Sequence, residues 1–258
     1  MYIYATGVAP TEFRTSLNYL TDTTYGLEWF KGADGNYYAS DLGPEADTYI
    51  ASIKTYGTES YINNLITTLD SIRTNRIVLL MSDFASNELF FGEDVNHSGV
   101  VSGVVSDIEL RKSVSLRGFE LNVKIRGIDL AFNTYASGWP ATIDCIQQDY
   151  EADRDYTVGI YDTYTSEPYA YDELSDEGIC TFAATLTNAQ LAQLRYYKRV
   201  HRGGDITLPL NGLAGISYPF GPSSGAGPHT IKFLDIKEKS RLGLTHWVVN
   251  LKLSEVIS

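Results

Sequence analysis

Chemistry needs reactive side chains at workable spacings, and this sequence offers few. Its four histidines are His97, His201, His229 and His246. No two stand four apart on one helix face, and none sits beside Cys or Glu at a metal-ligand spacing. They read as exposed or structural. Asp149-Tyr150-Glu151-Ala152-Asp153-Arg154-Asp155 alternates acids somewhat as a calcium loop does. It lacks the turn glycine and the closing bidentate Glu, so a solvated strand or loop fits better. Ala33-Asp34-Gly35-Asn36 and Arg202-Gly203-Gly204-Asp205 are turn signals, not phosphate loops. No serine nucleophile motif GxSxG appears. A carboxylate pair for glycoside hydrolysis leaves no sequence signature. The two cysteines, Cys145 and Cys180, are expected to stay reduced. The sequence therefore predicts no catalytic, cofactor-binding or metal site, and the chain is not expected to be an enzyme.

The informative feature is internal repetition. Tyr4-Ala5-Thr6-Gly7 returns as Tyr135-Ala136-Ser137-Gly138, an offset of 131 (from 4 to 135). Tyr38-Ala39-Ser40-Asp41-Leu42 resembles Tyr169-Ala170-Tyr171-Asp172-Glu173-Leu174. Phe91-Gly92 returns as Phe220-Gly221. Asp107-Ile108 returns as Asp235-Ile236, an offset of 128 (from 107 to 235). Phe119, Leu121, Val123 and Ile125 map onto Trp247, Val249, Leu251 and Leu253, with Asn122 and Lys124 onto Asn250 and Lys252. The drift in offset places small gaps in loops. A catalytic site usually needs one asymmetric pocket, so duplication disfavours turnover.

Elements follow from periodicity. Thr58 precedes Tyr61, Ile62, Leu65, Ile66 and Leu69, and Thr187 precedes Leu191, Leu194 and Val200; both are helical spacings with an N-capping threonine. Arg73, Arg76, Lys198, Arg199 and Arg202 crowd the two helix ends, as the dipole favours. Gly203-Gly204 should stop the second helix. Short apolar strands follow at 77–80 and 206–208. Residues 119–125 and 247–253 alternate with period two, the mark of a strand with one buried face. The expected fold is mainly β with one helix per repeat (α+β). It comprises two tandem homologous β-sandwich or barrel domains, residues 1–131 and 132–258. Their short join near Phe132-Asn133-Thr134 implies fixed geometry. The glycine-containing loops at 92–103 and 221–228 are expected to carry contacts with partners.

Composition narrows the partners. The net charge is −12, which disfavours wrapping nucleic acid by phosphate neutralisation. The same charge suits a surface that nucleic acid must slide past. Nineteen tyrosines fit half-buried sheets and interfaces. There is no apolar run of transmembrane length and no secretory signal at Met1-Tyr2-Ile3-Tyr4, so no membrane partner and synthesis in a cytoplasm are expected.

The repeat unit, a sheet with one helix and then a long hairpin ending in an alternating strand, resembles the tail-tube fold of bacteriophage tail-tube, distal-tail and baseplate-hub proteins. The best local likeness lies in the second repeat. It runs from the helix Leu191 to Arg202, through Gly204-Asp205-Ile206-Thr207-Leu208-Pro209-Leu210 and Tyr218-Pro219-Phe220-Gly221, to Trp247–Leu253 with Ser254-Glu255-Val256. The first repeat departs from it, with Asn75-Arg76 where the second has Gly204-Asp205. The resemblance implies a structural virion protein of the tail tip, forming a homo-oligomeric ring that joins tail tube to tip. Two arrangements fit: a trimer of two-domain chains, or a hexamer with one domain on the ring. Tail tube, hub and fibres would be its neighbours, and DNA would pass the acidic bore without specific binding. Other readings stand beside it: another tube, tail-completion or neck protein, or a carbohydrate- or surface-binding module using Trp29 and Trp139. Trp247, on the buried register of its strand, is expected in the core.

Overall fold

The computed structural model describes residues 2–5, 8–12, 15–73, 75–80, 89–92, 94–95, 100–112, 118–135, 138–140, 142–162, 168–220, 227–243 and 245–256. Side chains are described for these except at 2, 8–12, 15–19, 111–112 and 147–177. The fold is mainly β with two helices.

Residues before about 132 supply one sheet and those after it the other. The first half runs β1 (Tyr2–Ala5), β2 (Val8–Glu12), β3 (Thr15–Thr24), β4 (Leu27–Lys31), β5 (Tyr37–Asp41), a 3-10 turn at Pro44–Ala46, β6 (Thr48–Gly57), α1 (Glu59–Ile72), β7 (Ile77–Leu80), β8 (Val100–Lys112) and β9 (Phe119–Gly127). The second runs β10 (Ile143–Asp162), β11 (Pro168–Thr187), α2 (Asn188–His201), β12 (Ile206–Leu208), β13 (Leu213–Ala214), β14 (His229–Leu242) and β15 (His246–Glu255). The sheets have the orders β2-β1-β7-β8-β9-β6-β3 and β12-β14-β15-β11-β10-β13, while β4 and β5 pair as a separate ribbon. Read from β7 and from β12, the two sheets place their next four strands in the same relative order.

Local physics accounts for each element. Thr58 caps α1 by accepting from the Tyr61 N–H, and Thr187 caps α2 from Gln190 with a reciprocal capping box. The alternation in β9 buries Leu121, Val123 and Ile125, and that in β15 buries Trp247, Val249, Leu251 and Leu253. Each such aliphatic side chain contributes roughly 1.5–3 kcal/mol by leaving water. Both hairpins carry a bulge at the same place. The β8–β9 ladder skips between Val105 and Asp107, and the β14–β15 ladder between Phe233 and Asp235. Beyond each bulge an Asp faces a Lys: Asp107 opposite Lys124, Asp235 opposite Lys252. Most buried apolar residues of both halves belong to one connected core.

Three expectations need correction. The Tyr-Ala-Ser-Gly at 135–138 does not repeat the strand made by Tyr4-Ala5: Tyr135 lies outside any strand and donates its hydroxyl to Asp94, residues 136–137 lie outside the described residues, and Gly138 is a bend. The linker is held to the first half instead, through a Val95–Phe132 bridge and an Asn133 N–H to Asp94 O bond of 2.9 Å. The helix stop begins one residue before the glycines, with Arg202 itself left-handed at φ 40°. The matched Tyr38–Leu42 and Tyr169–Leu174 segments also differ in setting. In the first half the polar break at Tyr25-Gly26 and Leu42–Asp47 bends β4–β5 away from β3–β6, whereas β10 and β11 run on as one ribbon of 20 residues each. His97 and most of the loops at 92–103 and 221–228 lie outside the described residues.

Urea titration checks the caps. Thr187→Ala should cost about 1 kcal/mol and more than Thr58→Ala, because it also removes the hydroxyl's bond to the Gln190 side chain.

Candidate functional site

The polar groups of this chain converge where α2 and β14 of the second half meet β3, β4 and β5 of the first. Arg195, Lys198, Arg199 and Arg202 follow one another at helical spacings of three, one and three, so all four lie on one face of α2. That face points at the first half.

At its centre Arg195 forms an ion pair of 3.1 Å with Glu238, each side chain 1% exposed. The other Glu238 oxygen accepts the backbone N–H of Thr21 at 3.1 Å, and Tyr25 donates to the Arg195 carbonyl at 3.3 Å. One carboxylate thus ties β14, α2 and the outer strand β3 together. Burial pushes the Glu238 carboxyl above its ordinary range, while Arg195 opposes the shift.

Lys198 lies beside this pair. Its ammonium donates to the Leu234 carbonyl at 3.3 Å, sits 3.6 Å from Asp235 and lies 5.3 Å from the Tyr25 ring centre. Burial lowers its pKa to about 8, against the pull of Asp235. At the helix end Arg202 grips Asp41 through Nε at 2.6 and 2.7 Å and Asp47 through Nη1 at 3.0 and 3.2 Å. Asp47 also accepts the Gly26 N–H at 2.8 Å, so the same carboxylate fixes the bend of the ribbon. Arg202 holds the Asp41 carboxyl below its usual range. Gly203 follows at φ 85°, and an added Cβ would stand 2.3 Å from the Ala39 Cβ, so glycine lets the ribbon close on the helix. Lys232 reaches Asp205 at 3.2 Å and stands over the Tyr38 ring.

Two open clefts flank this junction. One of about 390 Å³ lies between β3 and β14, lined by Thr21, Thr23, Lys198, Asp235 and Glu238 among others. The other, of about 860 Å³, lies between Tyr49, Arg126, Phe132 and the C-terminal end of α2. Arg195, Lys198, Arg202 and Lys232 each face a carboxylate, and Arg199 lies over the Phe132 and Tyr196 rings. The arrangement ties the two halves together.

The residues singled out in the sequence fall elsewhere. His229 is buried and its Nδ1 lies 2.8 Å from Glu255, under the end of β14. His201 ends α2 and His246 opens β15. Among the described residues no group of three or more His, Cys, Asp or Glu could hold a metal ion. The acidic run 149–155 lies in β10, where its side chains are outside the described ones. Cys145 and Cys180 are thiols and not a disulfide, and burial pushes Cys145 up to about 12. Trp247 is fully buried and donates to Asn188 at 2.7 Å. Trp139 stacks on Phe233 at 5.6 Å and donates to the Gly212 carbonyl, so it is a packing residue. Trp29 is half-buried against Gly203. No helix among the described residues is long and apolar enough to cross a membrane.

Sequence reasoning placed Lys198, Arg199 and Arg202 at a helix end and assigned them to the dipole. It missed Arg195 and Glu238. The available signal was the cationic stripe at helical spacing, on a helix whose first-half counterpart carries Ile66 and Leu69 at the positions of Arg195 and Lys198.

Two measurements test the junction. Lys198 titrates near 8 folded and near its ordinary 10.5 unfolded, so between these values the unfolded chain binds more protons. Stability should therefore rise from about pH 8 to 10.5, by up to about 3 kcal/mol from this group, and Lys198→Met should remove that rise. Glu238→Ala strands Arg195 and should cost about 3–5 kcal/mol. Lys232→Ala, at the rim, should cost under about 1 kcal/mol.

No protein-family model and no curated protein matches this chain.

Proposed function

We infer that the chain is a structural ring protein of a bacteriophage tail tip, of distal-tail or baseplate-hub type, joining the tail tube to the tip. It is a doubled tail-tube-like module rather than an enzyme. The observation that carries the reading is the shared plan of the halves. β7-β8-β9-β6-β3 and β12-β14-β15-β11-β10 run in the same order, with a bulged hairpin before the same Asp and one threonine-capped helix between the same strands. The ion-paired junction supports it further, because a ring needs its modules at a fixed angle. Heterologous contacts of one kind close into rings when the rotation allows. In that ring the acidic balance of the chain repels DNA phosphate, so DNA passes the bore without being held. The tube, hub and fibres of the tail are its neighbours in the virion.

One observation favours a second reading, a carbohydrate-binding module. Phe30 is 55% exposed and stacks on Tyr38, ring centres 5.8 Å apart at 24°. Tyr38 is steadied by a 2.6 Å bond to Asp34. A flat, exposed aromatic pair is a sugar-stacking surface. Lys232 also reaches that pair from the second half, which ties it to the junction.

Light scattering and a glycan array separate the two. A closed multi-chain particle that ignores glycans is expected; a monomer at every concentration that binds a glycan would replace the ring reading with the second.

A further inference from the structure

The junction is already held by Arg195 with Glu238 and by Arg202 with Asp41 and Asp47. Lys198 adds little to it. Its side chain is 9% exposed, while its carboxylate neighbour Asp235, 3.6 Å away, is 58% exposed. An exposed carboxylate at that range offsets little of the cost of burying an ammonium. The matching position of α1 is Leu69, fully buried, so an aliphatic side chain suits this register. A lysine there calls for a reason other than packing.

That reason lies in what its amine faces. Lys198 lines the cleft of about 390 Å³ between β3 and β14, together with Tyr25, Trp29 and the threonines Thr21, Thr23 and Thr24. The Thr21 hydroxyl is buried with no hydrogen-bond partner among the described residues. A polar ligand would satisfy it. The charged groups around the amine are Asp22 on β3, Asp235, Lys237 and Glu238 on β14, and Arg195 on α2 itself. Burial is the main cause that lowers the Lys198 pKa to about 8; Arg195 lowers it further, and Asp235 opposes both. Near pH 8 about half of this amine is neutral, where an ordinary lysine is almost wholly protonated. A desolvated lysine beside another cation is an ammonium turned into a nucleophile. Set in a cleft, it marks a site.

We propose that Lys198 is a covalent capture site for a small hydroxylated aldehyde, held in the cleft between β3 and β14. The neutral amine attacks the carbonyl carbon, forming a C–N bond while the carbonyl π pair moves to oxygen. Asp235 takes the proton from nitrogen and hands one to oxygen, giving a carbinolamine. A second proton on that oxygen lets it leave as water, the nitrogen lone pair forms the C=N bond, and the iminium gives the proton back. One amine and one aldehyde thus yield one imine and one water, and no oxidant or reductant takes part. Asp235 suits the relay, since it lies beside the amine and reaches solvent. The threonine hydroxyls favour a hydroxylated body over an apolar one, and the small volume favours a short chain. The site does not depend on ring formation.

Reductive trapping on the full wild-type chain tests this. The chain is treated with glyceraldehyde and cyanoborohydride, which reduces the imine to a secondary amine, and peptide mass spectrometry reads the labelling of each lysine. At pH 8 Lys198 should be labelled at least about tenfold faster than the exposed Lys31 and Lys239. The preference should shrink toward pH 10.5, the ordinary lysine value, where the other amines also become neutral. With propanal, which has the same chain length and no hydroxyls, the ratio of Lys198 to Lys31 labelling should fall about fivefold, the worth of one lost hydrogen bond. Labelling of Lys198 no faster than that of the exposed lysines at pH 8 would overturn the proposal. An equal ratio with the two aldehydes would overturn the hydroxylated ligand.

Discussion

A buried ion pair cannot be left half made. Removing one partner strands a charge in low dielectric at a cost of about 3–5 kcal/mol, whereas well-packed apolar residues can often replace the whole pair without loss. Arg195 and Glu238 therefore act less as a source of stability than as a constraint on geometry. Glu238 satisfies Arg195 with one oxygen and the Thr21 N–H with the other. Sliding of the first sheet against β14 would break the Thr21 bond and take one buried oxygen of this carboxylate from its donor. Arg202 applies the same logic at the rim, where two carboxylates from opposite sides of the ribbon bend share one guanidinium.

The two halves share a strand order but solve the helix face differently. In α1 the positions matching Arg195 and Lys198 are Ile66 and Leu69, and Leu69 is fully buried in the core of its own half. In α2 the same positions are cationic and directed outward to another module. The ribbon diverges in parallel. Gly26 and Gly43-Pro44 bend β4–β5 back onto α2, whereas β10 and β11 continue without that break. Gly26 is required at the bend because a Cβ there would meet the Ala46 Cβ at 2.5 Å. One half is specialised to receive and the other to clasp, within a single polypeptide.

Much of this was legible from local physics. The capping threonines, the alternating strands and the apolar stripe of α1 each rest on residues a few positions apart, and each appears where its pattern placed it. The β class followed from them. The ribbon bend was not legible, because Tyr38–Leu42 and Tyr169–Leu174 look alike and the difference lies in turn residues that read as ordinary loop. Tyr135-Ala136-Ser137-Gly138 misled for the opposite reason: the letters repeat Tyr4-Ala5-Thr6-Gly7, but the linker is captured by Asp94 and Val95 before it can form a strand. The junction stayed hidden because Thr21 and Glu238 are 217 residues apart and no periodicity links them. Only Arg195 and Lys198, cations in the apolar register of α2, hinted that this face leaves its own core.

The proposed ring is built from two halves that share one strand order. Cryo-electron microscopy of the purified assembly, reconstructed without imposed symmetry, tests it most directly. The account predicts a closed ring of alike modules around one bore. A compact particle without a bore would contradict it.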